Sequence, residues 1–212
     1  RAPLRAMNNY ATFLSDMYKE KLDEQGNSYL HRISSAAGRL DLLIRDVLNY
    51  TQLISAEVKL APVDLDKLTR EILATYPDWQ APKAQITLDG QLGCVLGHEG
   101  FLTQSIANLL SNAMKFVKAG VEPQIRIRGE AGKRPDTYRL WIEDNGIGIA
   151  AEDQKRIFGM FERIHSSEKY AGTGMGLMIV RKAVGRLGGE IGFESELGKG
   201  SRFWIELQGA KI

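Results

Sequence analysis

Asn108-Leu-Leu-Ser-Asn112-Ala-Met-Lys115-Phe116 carries two amides one helical turn apart and a lysine three residues further on. On a helix these three side chains share a face with Ser105, while Leu102, Ile106, Leu109, Leu110, Ala113 and Val117 fall on the opposite side, toward a core. Two amide oxygens at that spacing can hold a hard cation such as magnesium, whose remaining ligands are water and phosphate oxygens. Lys115 adds a point charge for phosphate. The competing account of this segment is the solvated face of an ordinary amphipathic helix.

Two glycine clusters follow. Asp144-Asn-Gly146-Ile-Gly148-Ile149 comes directly after the apolar run Leu140-Trp-Ile142, so Asp144 stands at a strand end. A carboxylate there can accept a hydrogen bond from an adenine amino group, and Gly146 and Gly148 let the backbone turn and approach a flat base. Gly172-Thr-Gly174-Met-Gly176-Leu177 precedes a helical stretch, where unpaired backbone N–H groups and the helix dipole favour phosphate. It is not a Walker A loop, because no Gly-Lys-Ser/Thr ends it, and it does not follow a strand as a dinucleotide fingerprint does. In this order, with Phe158-Gly-Met-Phe161 between the last two, the segments describe a pocket for ATP with magnesium.

The elements that must position these residues fall into two regions. Up to about Leu60 the chain reads as helix, with Leu4, Met7, Ala11, Leu14 and Tyr18 on one stripe and Leu30, Ile33, Ala37, Leu40, Ile44, Val47 and Leu48 on a second. The polar stretch Asp23-Glu-Gln-Gly26-Asn27 is the expected turn of an antiparallel hairpin. Two helices bury two such stripes poorly, whereas two hairpins bury them as a four-helix bundle, so a homodimer is expected; packing of the hairpin on its own catalytic domain is the alternative. After Ala61-Pro62 the pattern changes. Asp64 caps a helix, Pro77 and Pro82 break the chain, and Ile125–Ile127, Tyr138–Ile142 and Phe203–Leu207 alternate as half-buried strands. Helical stretches near Phe101–Val117 and Met175–Leu187 separate them, which suggests a mostly antiparallel sheet with helices on one face.

Composition sets wide bounds. A formal net charge of +2 over 212 residues gives no argument for a nucleic-acid surface. The single cysteine, Cys94, excludes an internal disulfide and reads as a small buried side chain in a reducing, cytoplasmic setting. No run approaches the ~18–20 apolar residues of a membrane span, so no membrane contact is expected.

The four segments, in this order, resemble the N, G1, F and G2 boxes of the ATP-binding domain of sensor histidine kinases. The tail Gly188-Gly-Glu-Ile-Gly-Phe-Glu-Ser-Glu-Leu-Gly-Lys-Gly-Ser-Arg-Phe resembles that family's last hairpin, and the N-terminal helices are similar to its dimerisation and phosphoacceptor domain. The resemblance covers essentially the whole chain. It implies an α+β fold: a helical hairpin over residues 1–60, then a catalytic ATP-binding domain over residues 61–212 with an α/β sandwich of the GHKL (Bergerat) type. By position it makes Asn112 the principal magnesium ligand with Asn108 helping, Lys115 a phosphate contact and Phe116 a border of the nucleotide. Asp144 reads the adenine in a pocket shaped by Gly146, Gly148 and Ile149. Residues from about Ala150 to Ala171 form a lid anchored by Phe158 and Phe161, and Arg163 reaches the terminal phosphate. Gly172, Thr173, Gly174, Gly176 and Leu177 wrap the phosphates. The implied activity is transfer of the γ-phosphoryl group of ATP to a histidine and then to the receiver domain of a response regulator, with the Pro62 region as hinge. Chaperone-type ATPases share the sandwich and hydrolyse ATP; a dimer that binds ATP and signals by shape alone is a further alternative.

Two departures stand out. The family's acceptor motif ends in Arg-x-Pro-Leu, which matches Arg1-Ala2-Pro3-Leu4, so the acceptor histidine is expected three residues before Arg1. His31, His98 and His165 read as structural or solvated. Ala2 stands where relatives with phosphatase activity often carry threonine or asparagine, so weak phosphatase activity is expected.

Overall fold

The computed structural model describes residues 2–79, 83–162, 170 and 172–211. They form two compact units: Arg1–Ile54 with Ala171–Thr173, and Ser55–Tyr170 with Gly174–Ile212.

The first unit is a pair of helices, α1 (Ala2–Tyr18) and α2 (Glu24–Ser55). The turn lies earlier than the glycine suggests. Asp23 accepts a hydrogen bond from the Gly26 N–H at 2.7 Å and so acts as an N-cap, and Gly26 falls inside the first turn of α2. Asn27 then ties the turn together by donating to the carbonyls of Lys19, Leu22 and Asp23. Capping chemistry outweighs the helix-breaking tendency of one glycine, which is only about 1 kcal/mol. Of the two apolar stripes, only Ala11 and Ala37 are buried. Met7, Leu14, Ile33, Leu40 and Leu48 stay between 45% and 54% exposed, so the hairpin leaves most of its apolar face uncovered.

The second unit begins with β1 (Ala61–Asp64), followed by α3 (Leu65–Thr75), a 3-10 turn at Pro77–Trp79, β2 (Gln85–Asp89) and β3 (Cys94–Gly97). Then come α4 (Glu99–Lys115), β4 (Gln124–Ala131), β5 (Thr137–Asp144), α5 (Gly176–Arg186), β6 (Glu190–Glu196) and β7 (Gly200–Gln208). Pro62 sits in β1, opposite Leu96 of β3, and residues 56–60 between α2 and β1 are neither helix nor strand. Asp64 caps α3 as expected, accepting from Lys67 N–H at 3.1 Å. Pro82 lies outside the described residues.

Five strands form one sheet in the order β2-β4-β5-β7-β6, antiparallel except for the β2–β4 pair. Period-2 alternation sends Ile125, Ile127, Leu140, Ile142, Phe203 and Ile205 to one face, where Leu102, Ile106, Leu109, Ile179, Val180 and Val184 of α4 and α5 complete the core. The other face carries cross-strand pairs of a different kind: Arg139 opposite Glu206, Trp141 opposite Trp204, and Glu143 opposite Arg202. No described helix is long and apolar enough to cross a membrane.

Among the described residues two buried side-chain polar atoms have no hydrogen-bond partner, Thr69 Oγ1 and His98 Nδ1. Thr69 Oγ1 on α3 is fully enclosed, with the residue 0% exposed. Valine keeps the shape and removes the unpaired hydroxyl, so Thr69→Val should raise unfolding stability by about 1 kcal/mol in chemical denaturation. A loss of stability would mean that the hydroxyl is hydrogen-bonded in solution.

Candidate functional site

In the second unit, the end of α4, the loop after β5 and the start of α5 converge. Asn108 and Asn112 lie half-buried on α4, and among the described residues neither side-chain amide makes a hydrogen bond. Asn108 Oδ1 is 3.6 Å from where a Cβ on Gly176 would sit, which puts this amide beside the first turn of α5. That helix starts at Met175 with no side-chain cap. The polar face of α4 is narrower than its sequence suggests: Ser105 is fully buried, and its hydroxyl bonds back to the Phe101 carbonyl at 2.7 Å.

Lys115 ends α4 with its ammonium 4.0 Å from the centroid of the Phe116 ring. Phe116 also packs against Tyr170, whose hydroxyl donates to the Val117 carbonyl at 3.1 Å. The loop after β5 is fastened to the same corner, because Ile147 N–H donates to the Phe116 carbonyl at 2.8 Å. The two glycines of this loop are demanded by protein packing. A Cβ on Gly146 would collide with the Phe116 carbonyl; one on Gly148, where φ is +70°, would collide with the Glu196 carbonyl of the β6–β7 turn.

Asp144 ends β5 half-buried. The Gly146 and Ser201 N–H groups both donate to its Oδ1, at 2.8 and 3.1 Å, and among the described residues Oδ2 has no donor. Burial pushes its carboxyl up and the two N–H donors pull it back, leaving a pKa of about 6. Ile149 N–H donates to Ser195 Oγ at 2.9 Å. Gly174 lies against the backbone of Phe161 and Glu162, and Leu177 is half-buried in the first turn of α5.

Other expected positions behave differently. Phe158 packs edge-on against Phe193 at 5.9 Å. Phe161 does not anchor: it is 52% exposed with φ at +59°. Gly172 and Thr173 belong to the first unit, and Arg163 and His165 lie outside the described residues. His31 is exposed, and His98 precedes α4 with Nδ1 buried and unpartnered. Cys94 is half-buried in β3, and burial, then the nearby Asp64, push its thiol up, away from the reactive thiolate. Ser195, Ser201 and Gln154 support the site and were not singled out from the sequence. Their signal was the symmetric placing of the two serines about the turn Glu196–Gly200, which makes them cross-strand partners.

Among the described residues no three His, Cys, Asp or Glu side chains cluster as a metal cage. Asn108 and Asn112 bring two amide oxygens to this corner, a donor type that suits a hard cation keeping water and phosphate in its shell.

Residues 97–211 match the family described as histidine kinase-, DNA gyrase B-, and HSP90-like ATPase. The chain is 31% identical over 206 residues to phytochrome-like protein Cph1 of Synechocystis sp., covering 97% of this chain and 27% of the relative. It is 34% identical over 223 residues to the sensor histidine kinase AruS of Pseudomonas aeruginosa, covering 98% and 21%. The chain thus spans only about a quarter of the length of such curated relatives. Full-length ShkA, solved in complex with AMPPNP, superposes over 100% of this chain and 44% of its own with a TM-score of 0.71 at 30% identity. Acinetobacter baumannii histidine kinase AdeS shares the fold over 98% of this chain and 96% of its own, at a TM-score of 0.66 and 21% identity.

Proposed function

The chain belongs to the family of histidine kinase-, DNA gyrase B- and HSP90-like ATPases, with sensor histidine kinases among its relatives and structural neighbours, and from that premise we propose that it is the catalytic core of a sensor histidine kinase. It binds ATP with magnesium, passes the γ-phosphoryl group to a histidine, and thence to an aspartate of a response-regulator receiver domain. The observation that carries the nucleotide reading is Asp144, a half-buried carboxylate with one oxygen saturated by backbone and the other open to a donor. An adenine amino group is such a donor.

The remaining roles follow from position. Gly146, Gly148 and Ile149 form the adenine loop, and Phe116 borders the base. Asn112, assisted by Asn108, would hold magnesium through amide oxygens, and the bound ion would supply positive charge against the phosphates. Lys115 and Arg163 neutralise the γ-phosphoryl group, the role of Arg163 resting on its place in the sequence alone. The N–H groups at Gly174, Gly176 and Leu177 face phosphate, and the part of Gly172 and Thr173 rests on their place in the sequence alone. Transfer breaks the bond between the γ-phosphorus and the β–γ bridging oxygen, forms a phosphorus–nitrogen bond on imidazole, and leaves ADP. The acceptor is the histidine of the motif whose Arg-x-Pro-Leu part is Arg1-Ala2-Pro3-Leu4. The uncovered stripes of α1 and α2 support a homodimer, in a cytoplasmic setting without nucleic-acid or membrane contact by this chain.

The test is incubation of the histidine-bearing parent with γ-labelled ATP. Acid-labile label on the protein is expected; steady hydrolysis without label would favour a chaperone-type ATPase, and binding without either would favour signalling by shape. Asn112→Ala should weaken magnesium-ATP binding about tenfold or more by calorimetry and leave magnesium-free ADP binding within about threefold. Equal loss with and without magnesium would remove the metal assignment.

A further inference from the structure

The Asp144–Ile149 loop is held by side chains that have not been assigned to the nucleotide above. Ser195 Oγ, on edge strand β6, receives the Ile149 N–H at 2.9 Å, donates to the Gly200 carbonyl at 3.0 Å and lies 2.8 Å from Ser201 Oγ. Ser201 in turn gives its N–H to Asp144 Oδ1. The Gln154 amide donates to the Ser195 carbonyl at 3.1 Å and to the Ile149 carbonyl at 3.4 Å. Both backbone groups of Ile149 are therefore bonded to side chains from elsewhere in the chain, one by Ser195 and one by Gln154. The frame closes on itself: Asp144 to Ser201, Ser201 to Ser195, Ser195 to Ile149, and Ile149 through Gln154 back to Ser195. A loop with two glycines in six residues has many conformations open to it, and these bonds select one.

We propose that Ser195 and Gln154 are positioning residues for adenine recognition, fixing the Asp144–Ile149 loop in its base-binding shape before nucleotide arrives. The proposal rests on the reading of Asp144 as the adenine acceptor. Preorganisation of this kind acts on affinity, because a loop left to order on binding must lose that freedom then. The defect should fall on the adenine side alone. ATP, ADP and adenosine should weaken by the same factor, since all three present the same base.

The test is calorimetric titration of the 212-residue chain and its variants with ATP, ADP and adenosine, alongside thermal unfolding. Ser195→Ala, which removes the acceptor for Ile149 N–H, should weaken all three ligands about three- to tenfold. Ser195→Thr, which keeps the hydroxyl, should restore binding. Gln154→Glu should be worse than Gln154→Ala, because a carboxylate would face two carbonyl oxygens with nothing to donate. Gln154 is half-buried on a surface segment, so its variants report even if Ser195→Ala fails to fold. Unchanged affinities in folded variants, a loss confined to ATP, or no rescue by threonine would overturn the proposal while leaving the nucleotide site in place. Failure of the parent chain to bind any of the three would overturn the nucleotide reading itself, and the proposal with it.

Discussion

Glu206→Ala should destabilise the sheet-bearing unit by about 3–5 kcal/mol, because it strands a buried guanidinium without its counter-charge. Glu206 is 1% exposed on β7 and accepts from Arg139 Nη2 at 2.6 Å and Nε at 3.0 Å. Arg134 Nε, Thr137 Oγ1 and the Lys133 N–H also donate to it, each at 3.1 Å. Arg139 is itself 5% exposed, its guanidinium 3.8 Å from the centroid of the Trp204 ring. For a unit of this size the loss corresponds to a fall in Tm of roughly 10 °C. Exchanging both partners for leucine should recover much of it, since apolar replacement of a whole buried pair is often neutral. Burial alone pushes the Glu206 carboxyl up, but the Lys133 N–H and the side chains of Arg139, Arg134 and Thr137 outweigh it and bring it down to about 2. A lowered carboxylate stabilises above its unfolded value of 4.5, so this contribution is complete at neutral pH and drains away as pH falls toward about 2. Chemical denaturation of the variant at pH 7 decides the matter. A change below about 1 kcal/mol, the level of an exposed pair, would mean that Arg139 finds other partners.

Asp144→Asn should separate stability from binding. The folded carboxyl titrates at about 6 against 3.8 in the unfolded chain, so the folded state holds its proton more tightly. Ionising it therefore costs the fold stability, a penalty that grows from about pH 4 to pH 6 and is complete above that. Asparagine keeps an oxygen for the Gly146 and Ser201 N–H groups and carries no charge. The variant should be more stable than the parent at pH 8 by on the order of 2 kcal/mol, with the difference vanishing near pH 4. Nucleotide binding should move the other way. On the proposed reading of Asp144, the second oxygen becomes an NH2 that would face the adenine amino group donor to donor, so ATP affinity should drop about a hundredfold. In the parent, ATP binding should weaken as pH falls through about 6, because the nucleotide needs the ionised form. Stability scans and titrations at pH 5, 6, 7 and 8 measure both effects. An asparagine variant that binds ATP as tightly as the parent would remove Asp144 from adenine recognition.

Much of the fold could be read from local patterns. Alternating residues located β4, β5 and β7, because a two-residue period marks one buried face whatever lies above it. Apolar spacing located α4 and α5 to within two residues at each end. Asp64 was recognised as a cap, but Asp23 was not, since a glycine nearby gave the louder turn signal. β1 escaped because four residues with a central proline carry no periodicity; only pairing with β3 makes them a strand. Ser105 was misassigned to the polar lining because helical spacing gives a side chain its direction, not what packs over it.

Residue types and their spacing are enough to give the identity and order of the chemical groups: two amides and a lysine on one helix, a carboxylate at a strand end, glycines before a helix. These depend on residue type and short-range spacing, which chain geometry preserves. How these groups are held depends on contacts that the fold alone creates. The reason Gly148 must be glycine is the Glu196 carbonyl, almost fifty residues away in the chain. The titration of Asp144 is set by its burial at the end of β5 and by the Ser201 N–H across the sheet. The frame of Ser195, Ser201 and Gln154 exists only because β6 and β7 pair in one register and bring their serines opposite each other. Hydrogen bonds and desolvation act over a few ångströms of space, so their partners are chosen by the fold rather than by neighbours in the chain.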